Sequence, residues 1–214
     1  MTEITKRFST SILLLIILIL SIYSHIILAF FLIISFYQMT YEFYFMFNKA
    51  LTKKNKIIYM FMSLIIIINC YLVLFVWNAL YSNNPELKLI FFLIICITIS
   101  TDIGGYVFGK LLNGKKLSKI SPNKTYSGMF GSYILSIIIV FYLFNDYFNL
   151  INLLIYTLIV STSSQIGDLS ISYLKRSAQL KDTSNILPGH GGLLDRFDGL
   201  ILAIPFGSIL FKIL

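Results

Sequence analysis

Residues 11–47 are apolar almost without interruption. One helix of that length would rise about 55 Å, far beyond the roughly 30 Å hydrocarbon core of a bilayer. The chain must therefore turn inside the run, and the polar cluster from Ser21 to His25 is the place for it. That gives a short helix over 9–23 and a second over 25–46, with His25 at the turn as an interfacial residue without chemistry. The same reasoning sets spans at 57–80, 88–108, 128–145 and 148–166, with a short seventh at 199–213. Trp77 and Tyr81 are placed to anchor the far end of the third span, and the polar stretch from Tyr81 to Glu86 reads as a turn.

With 57% hydrophobic and 12% charged residues and a mean hydropathy of +0.85, the 214-residue chain falls outside the range of soluble globular domains. The expected fold is all-α: a polytopic integral membrane helical bundle of about seven spans. It is read as one domain over 1–214, with N-terminal spans in 1–97 and the motif-bearing part in 98–214. Cys70 and Cys96 both lie in apolar runs and read as core residues rather than a disulfide framework. The first apolar run continues into more apolar sequence without a small-residue cleavage site, so no cleavable leader is expected.

The net charge of +8 is confined to the connections, so it does not point to nucleic acid. With the N-terminus inside, 15 of the 17 Lys and Arg residues fall on the cytoplasmic side, and only Lys88 and Lys212 fall elsewhere. The positive-inside rule demands such an imbalance. A basic loop is expected from Lys49 to Lys56 and a polar loop from Gly109 to Ser127.

Three polar clusters converge on that face: Asp102 with its glycine pair, the 109–127 loop, and residues 165–198. From Asp168, helical spacing puts Ser172, Lys175 and Gln179 on one face and Ile166, Leu169, Tyr173 and Leu180 on another. An amphipathic helix should continue the sixth span and break at Pro188 and the glycines at 189, 191 and 192. Asp195 and Asp198 follow at the start of the last span, where carboxylates suit the positive end of a helix dipole. Carboxylates beside lysines, arginines and Gly-rich backbone describe a site for Mg²⁺ and phosphate.

The run from Ser121 to Gly128, with Lys124 and Thr125, reads either as a phosphate cradle or as a turn with a helix cap. Asp102 is either a carboxylate paired with a cation or a helix-end residue bonding nearby backbone. His190, between glycines, either approaches a ligand or bonds a backbone carbonyl. No second His or Cys lies near it on this face, which argues against zinc.

The segment from Ser172 to Asp198 resembles the signature of bacterial phosphatidate cytidylyltransferases. Ser172, Leu174, Lys175, Arg176, Lys181, Asp182, Ser184, Leu187, Pro188, His190, Gly191, Gly192, Asp195, Arg196 and Asp198 fill that pattern. Asp102-Ile-Gly-Gly-Tyr, Ser121-Pro-Asn-Lys-Thr and Gln165-Ile-Gly-Asp168 resemble further family motifs in the expected order. The likeness covers roughly 98–200. Ser127, Ser132, Ser184 and Gly199 depart from residues common in the family, and none of them removes a carboxylate or lysine from the core pattern.

The resemblance implies transfer of a cytidylyl group from CTP to phosphatidic acid, giving CDP-diacylglycerol and pyrophosphate. It implies an enzyme of the bacterial cytoplasmic membrane, multi-pass, with its active site facing the cytoplasm. It also implies Asp168, Asp195, Lys175 and Asp198 as catalytic residues, with Mg²⁺ held by Asp168 and Asp195, Asp198 in support, Lys175 neutralising phosphate, and a second monovalent or divalent cation as a further expectation. Ser121, Lys124, Thr125, Ser172, Arg176, Lys181, His190, Gly191, Gly192, Arg196 and Asp102 are the expected substrate-binding residues. Membrane lipid and a second copy of the chain, as a homodimer, complete the expected partners.

Two other classes fit less well. An ion-coupled transporter needs polar groups at mid-membrane in repeated halves, whereas here they cluster on one face and no halves repeat. A CDP-alcohol phosphotransferase would carry a spaced aspartate motif, but Asp198-Gly199 leads straight into apolar sequence.

Overall fold

The computed structural model describes residues 3–50, 56–117, 121 and 124–212. Lys53 and Lys54 of the expected basic loop, Lys119 of the polar loop, and Pro122 and Asn123 of the Ser121 run lie outside the described residues. Among the described residues, eight helices follow one another: α1 (Glu3–Tyr23), α2 (His25–Ala50), α3 (Lys56–Tyr81), α4 (Pro85–Leu112), α5 (Tyr126–Phe144), α6 (Leu150–Ser177), α7 (Leu194–Phe197) and α8 (Leu200–Phe211). No strand occurs among the described residues, only isolated bridges from Lys116 to Thr125 and from Leu187 to Gly191.

Among the described residues, five stretches are long and apolar enough to cross a membrane: α2, Leu64–Tyr81 of α3, α4, α5 and α6. The apolar parts of α1 (Phe8–Ser21) and α8 are shorter. Twelve residues of α8 rise only about 18 Å, less than the hydrocarbon thickness. The chain is thus an all-α polytopic membrane protein in which the first and last expected spans are short.

The helix ends follow local chemistry. Asn84 caps α4 by accepting from the Glu86 N–H at 2.9 Å, and Pro85 occupies the first turn. Asn113, at φ 42°, ends the same helix in the left-handed conformation. This carries α4 past the expected stop at 108 and leaves Asp102 well inside it rather than at its end. Thr125 caps α5 by accepting from the Gly128 N–H at 3.1 Å. At the end of α6, Leu180 N–H donates to the Lys175 carbonyl at 2.8 Å and Gln179 N–H to the Arg176 carbonyl at 3.0 Å. With Gln179 at φ 56°, this is a Schellman closure. The helix therefore stops well before Pro188 and the glycines expected to break it.

The chain folds as two compact units: Met1–Asn83 with Leu174–Phe197, and Asn84–Tyr173 with Asp198–Leu214. In the first, Leu28, Leu32, Ser35, Met39, Glu42 and Met46 form the buried stripe of α2, at helical spacing. Phe30, Ile33, Ile34, Tyr37, Tyr41 and Tyr44 stay exposed, as a lipid-facing surface would. Ser24 alone separates α1 from α2. Thr10 contacts His190 at 2.6 Å and Glu42 contacts Leu194 at 2.9 Å. In a straight continuation Thr10 and Glu42 would lie about 48 Å apart, so α1 and α2 must fold back as a hairpin, as the sequence requires.

In the second unit α4 and α5 are in intimate contact. A Cβ on Gly104 would meet the Gly131 carbonyl oxygen at 2.6 Å, and one on Gly128 the Gly105 carbonyl oxygen at 2.6 Å. Small residues let two membrane helices approach this closely. Beside them Thr101 Oγ1 donates to Ser161 Oγ at 2.8 Å and lies 3.0 Å from Ser136 Oγ, all three buried.

Candidate active site

The second unit holds Asp102, Ser121, Lys124, Thr125, Asp168, Ser172 and Asp198. Lys124 forms an ion pair with Asp168, each side chain about a quarter exposed. The turn that carries Lys124 is closed by its own N–H donating to the Ser121 carbonyl at 3.1 Å, and α5 begins directly after it. Ser172 Oγ donates to Asp168 Oδ1 at 3.4 Å, the i, i+4 contact that the spacing implies. Asp102 is exposed on α4 and within electrostatic reach of both Asp168 and Lys124. The Thr125 hydroxyl is engaged by its capping bond and by Ser127 Oγ at 3.0 Å, so the helix-cap reading of this run holds at Thr125 while its lysine reaches a carboxylate. Asp198 Oδ1 accepts from the Gly199 N–H at 2.8 Å. The Asp198 carbonyl lies so near Gly167 that a Cβ there would come within 2.5 Å of it.

The first unit holds Lys175, Arg176, Lys181, His190, Gly191, Gly192, Asp195 and Arg196. Lys175 Nζ donates to Asp195 Oδ1 at 2.7 Å, with 14% and 7% of the two side chains exposed. Asp195 Oδ2 accepts from the Thr183 N–H at 2.8 Å, the Gly192 N–H at 3.0 Å and the Thr183 hydroxyl at 3.1 Å. Burial pushes the Asp195 carboxyl up. The Lys175 and backbone hydrogen bonds, with the Lys175 charge, more than offset this and hold it below its ordinary value.

The ring of His190 is held by side-chain hydroxyls rather than by a backbone carbonyl. Its Nδ1 lies 2.6 Å from Thr10 Oγ1 and its Nε2 3.3 Å from Ser11 Oγ, so both ring nitrogens face α1. The His190 carbonyl accepts from Arg196 Nε at 3.1 Å and Nη2 at 2.6 Å. Gly191, at φ 83°, allows the tight return of the loop, and a Cβ there would sit 2.7 Å from Asp195 Oδ2. Arg176 and Lys181 are exposed, and Arg176 Nη1 donates to the Leu180 carbonyl at 3.4 Å.

Sequence reasoning missed Glu42. It lies fully buried on α2 and accepts hydrogen bonds from Gln38, Thr183, Ser184, Leu193 and Leu194. The available signal was a lone carboxylate inside an otherwise apolar span, which is expensive in a membrane and so demands a partner.

The carboxylates among these residues offer hard oxygen donors. No group of three or more His, Cys, Asp or Glu placed to hold an ion occurs among the described residues. A donor set of one or two carboxylates fits Mg²⁺, which keeps several waters and shares substrate phosphates instead of sitting in an all-protein cage.

Known proteins share much of this sequence. The chain is 42% identical over 162 residues to the phosphatidate cytidylyltransferase of Rickettsia bellii, covering 71% of this chain and 68% of that protein. It is 42% identical over 135 residues to that of Staphylococcus epidermidis, covering 61% and 52%, and 43% identical over 129 residues to that of Bacillus subtilis, covering 58% and 48%. The chain thus spans from about half to about two thirds of the length of these curated relatives. The sequence pattern of the cytidylyltransferase family matches residues 1–214 in full, and the chain belongs to that family.

Proposed function

We propose that this protein transfers the cytidylyl group of CTP to phosphatidic acid, releasing pyrophosphate and leaving CDP-diacylglycerol in the membrane. The observation that carries this reading is the pair of lysine–carboxylate contacts built from motif residues, Lys124 with Asp168 and Lys175 with Asp195. In the reaction an oxygen of the phosphatidate phosphate bonds to the α-phosphorus of CTP, and the bond from that phosphorus to the bridging oxygen breaks. The nucleophile is already anionic, so a strong general base is unnecessary. The protein must instead neutralise two polyanions and align them in line.

Mg²⁺ held by Asp168 and Asp195 would supply positive charge to the CTP phosphates. Each lysine then turns from its carboxylate to a phosphate oxygen, so charge stays balanced as substrate enters. Arg176, Lys181 and Arg196 add exposed cations to the same signature segment, and Asp198, on the carboxyl side of Arg196, supports the carboxylate set. The concentration of 15 of 17 cations in the connections of one side supports a site on the cytoplasmic face of a bacterial inner membrane.

The test is purified protein with labelled CTP, phosphatidate and Mg²⁺, followed by extraction of lipid. Labelled CDP-diacylglycerol with equimolar pyrophosphate is the expected product; no label in the lipid would overturn the reading. Asp168→Asn and Asp195→Asn should each abolish turnover while the protein still inserts. Their effects should not add in the double variant, because either one dismantles the same metal site. Substantial Mg²⁺-dependent turnover in either single variant would move the metal to other carboxylates.

A further inference from the structure

We infer that Glu42, on the second helix, is a positioning residue that closes the neck of the signature loop and sets the Asp195 carboxylate. Its catalytic consequence rests on the transfer reading above. Glu42 Oε1 accepts from Gln38 Nε2 at 2.7 Å, Ser184 Oγ at 2.7 Å and the Leu193 N–H at 3.1 Å. Its Oε2 accepts from Thr183 Oγ1 at 2.8 Å and the Leu194 N–H at 2.9 Å. None of the five partners is a cation, and the side chain is 0% exposed. A buried carboxylate in such a place depends wholly on oriented donors.

Four of those donors belong to the loop, two before Pro188 and two after Gly192. One carboxylate therefore ties the entry of the loop to its exit. The loop supplies two backbone N–H groups for this, so the interaction does not rest on side-chain chemistry alone.

The link to Asp195 runs through Thr183. Its hydroxyl lies 2.8 Å from Glu42 Oε2 and 3.1 Å from Asp195 Oδ2, and its single proton can serve only one of them at a time. The Thr183 N–H meanwhile donates to Asp195. Displacing Thr183 takes from Asp195 Oδ2 its N–H donor and the hydroxyl that the two carboxylates share. Gly192 completes the arrangement: a Cβ there would collide with Thr183 Oγ1 and come within 2.6 and 2.7 Å of the two Glu42 oxygens. The second glycine of the pair is thus required by a residue 150 positions earlier.

Glu42→Gln tests this directly, since the amide group must point a donor at the Leu193 or the Leu194 N–H. Two readouts are taken on the full chain in detergent: CDP-diacylglycerol synthesis, and amide hydrogen exchange with no substrate present. The expected results are a kcat about a hundredfold lower with KM for CTP within about threefold, and exchange at Leu193 and Leu194 at least about tenfold faster. Amides of α4 and α5 should be unchanged. Thr183→Val, which keeps shape and backbone, should lower kcat about tenfold, and its effect should not add to that of Glu42→Gln. If Glu42→Gln deprotects every amide, Thr183→Val decides alone, and wild-type kcat in it overturns the inference.

Wild-type turnover and unchanged protection in Glu42→Gln also overturn it and leave the transfer reading intact. A wild-type protein that makes no labelled lipid, yet loses protection at Leu193 and Leu194 in Glu42→Gln, would refute the transfer and leave the anchoring role standing.

Discussion

Gly192 has no room for a side chain, because the Glu42 carboxylate and the Thr183 hydroxyl occupy the space a Cβ would need. Gly192→Ala must push the loop away from α2, and a displacement near 1 Å at a reacting group can cost about a hundredfold in rate. Steady-state turnover of Gly192→Ala should fall by about that factor, with wild-type insertion judged by reporter fusion. Lys124 and Lys175 make a different demand. Losing one charge-assisted phosphate contact costs about 1.5–3 kcal/mol, or roughly ten- to a hundredfold in kcat/KM. Lys124→Ala and Lys175→Ala should each show that loss, and unchanged kinetics in both would reduce them to partners of carboxylates. The sequence displayed these residues because each sits in a motif dense with charge and glycine. Glu42 sits in none, and the partners that explain it lie more than 140 positions away.

The helices were legible as elements and less so at their ends. Apolar runs separated by polar connections locate α2 to α6 because nothing else can cover such surface. Their termini depend on single residues. Asn113 and Gln179 adopt the left-handed conformation where glycine would be the expected stop signal, so α4 and α6 end at places the sequence does not advertise. The α4–α5 contact is set by backbone proximity at Gly104, Gly128 and Gly131. Gly104→Ala presses a methyl group into the Gly131 carbonyl and Ser132 Cα, and overpacking of this kind costs about 1–3 kcal/mol. Thermal denaturation in detergent should show a clear drop for Gly104→Ala. Ile99→Ala, on the exposed side of the same helix, should leave the midpoint within error.

At the scale of the molecule, the two compact units interleave along the chain: the first is made from Met1–Asn83 and Leu174–Phe197, on either side of the 84–173 segment of the second. Reporter fusions after Lys116 and Lys181 should report the cytoplasm, and a fusion after Asn83 the opposite side. A cytoplasmic signal at Asn83 would overturn the proposed orientation. The short α8 and the short apolar part of α1 do not enter that test, which turns on α2 to α6.

The bond between Glu42 and the loop also orders events during synthesis. A ribosome that has just delivered α2 to the membrane has made the acceptor, but the donors at 183, 184, 193 and 194 do not yet exist. For the time it takes to add about 150 further residues, at 5–20 residues per second, the nascent hairpin carries an acidic group that the finished protein seals away from solvent. Only when the chain has passed Leu194 can that debt of solvation be discharged. Assembly of the loop is therefore a late event, and it closes the first unit around a helix that was among the earliest to arrive.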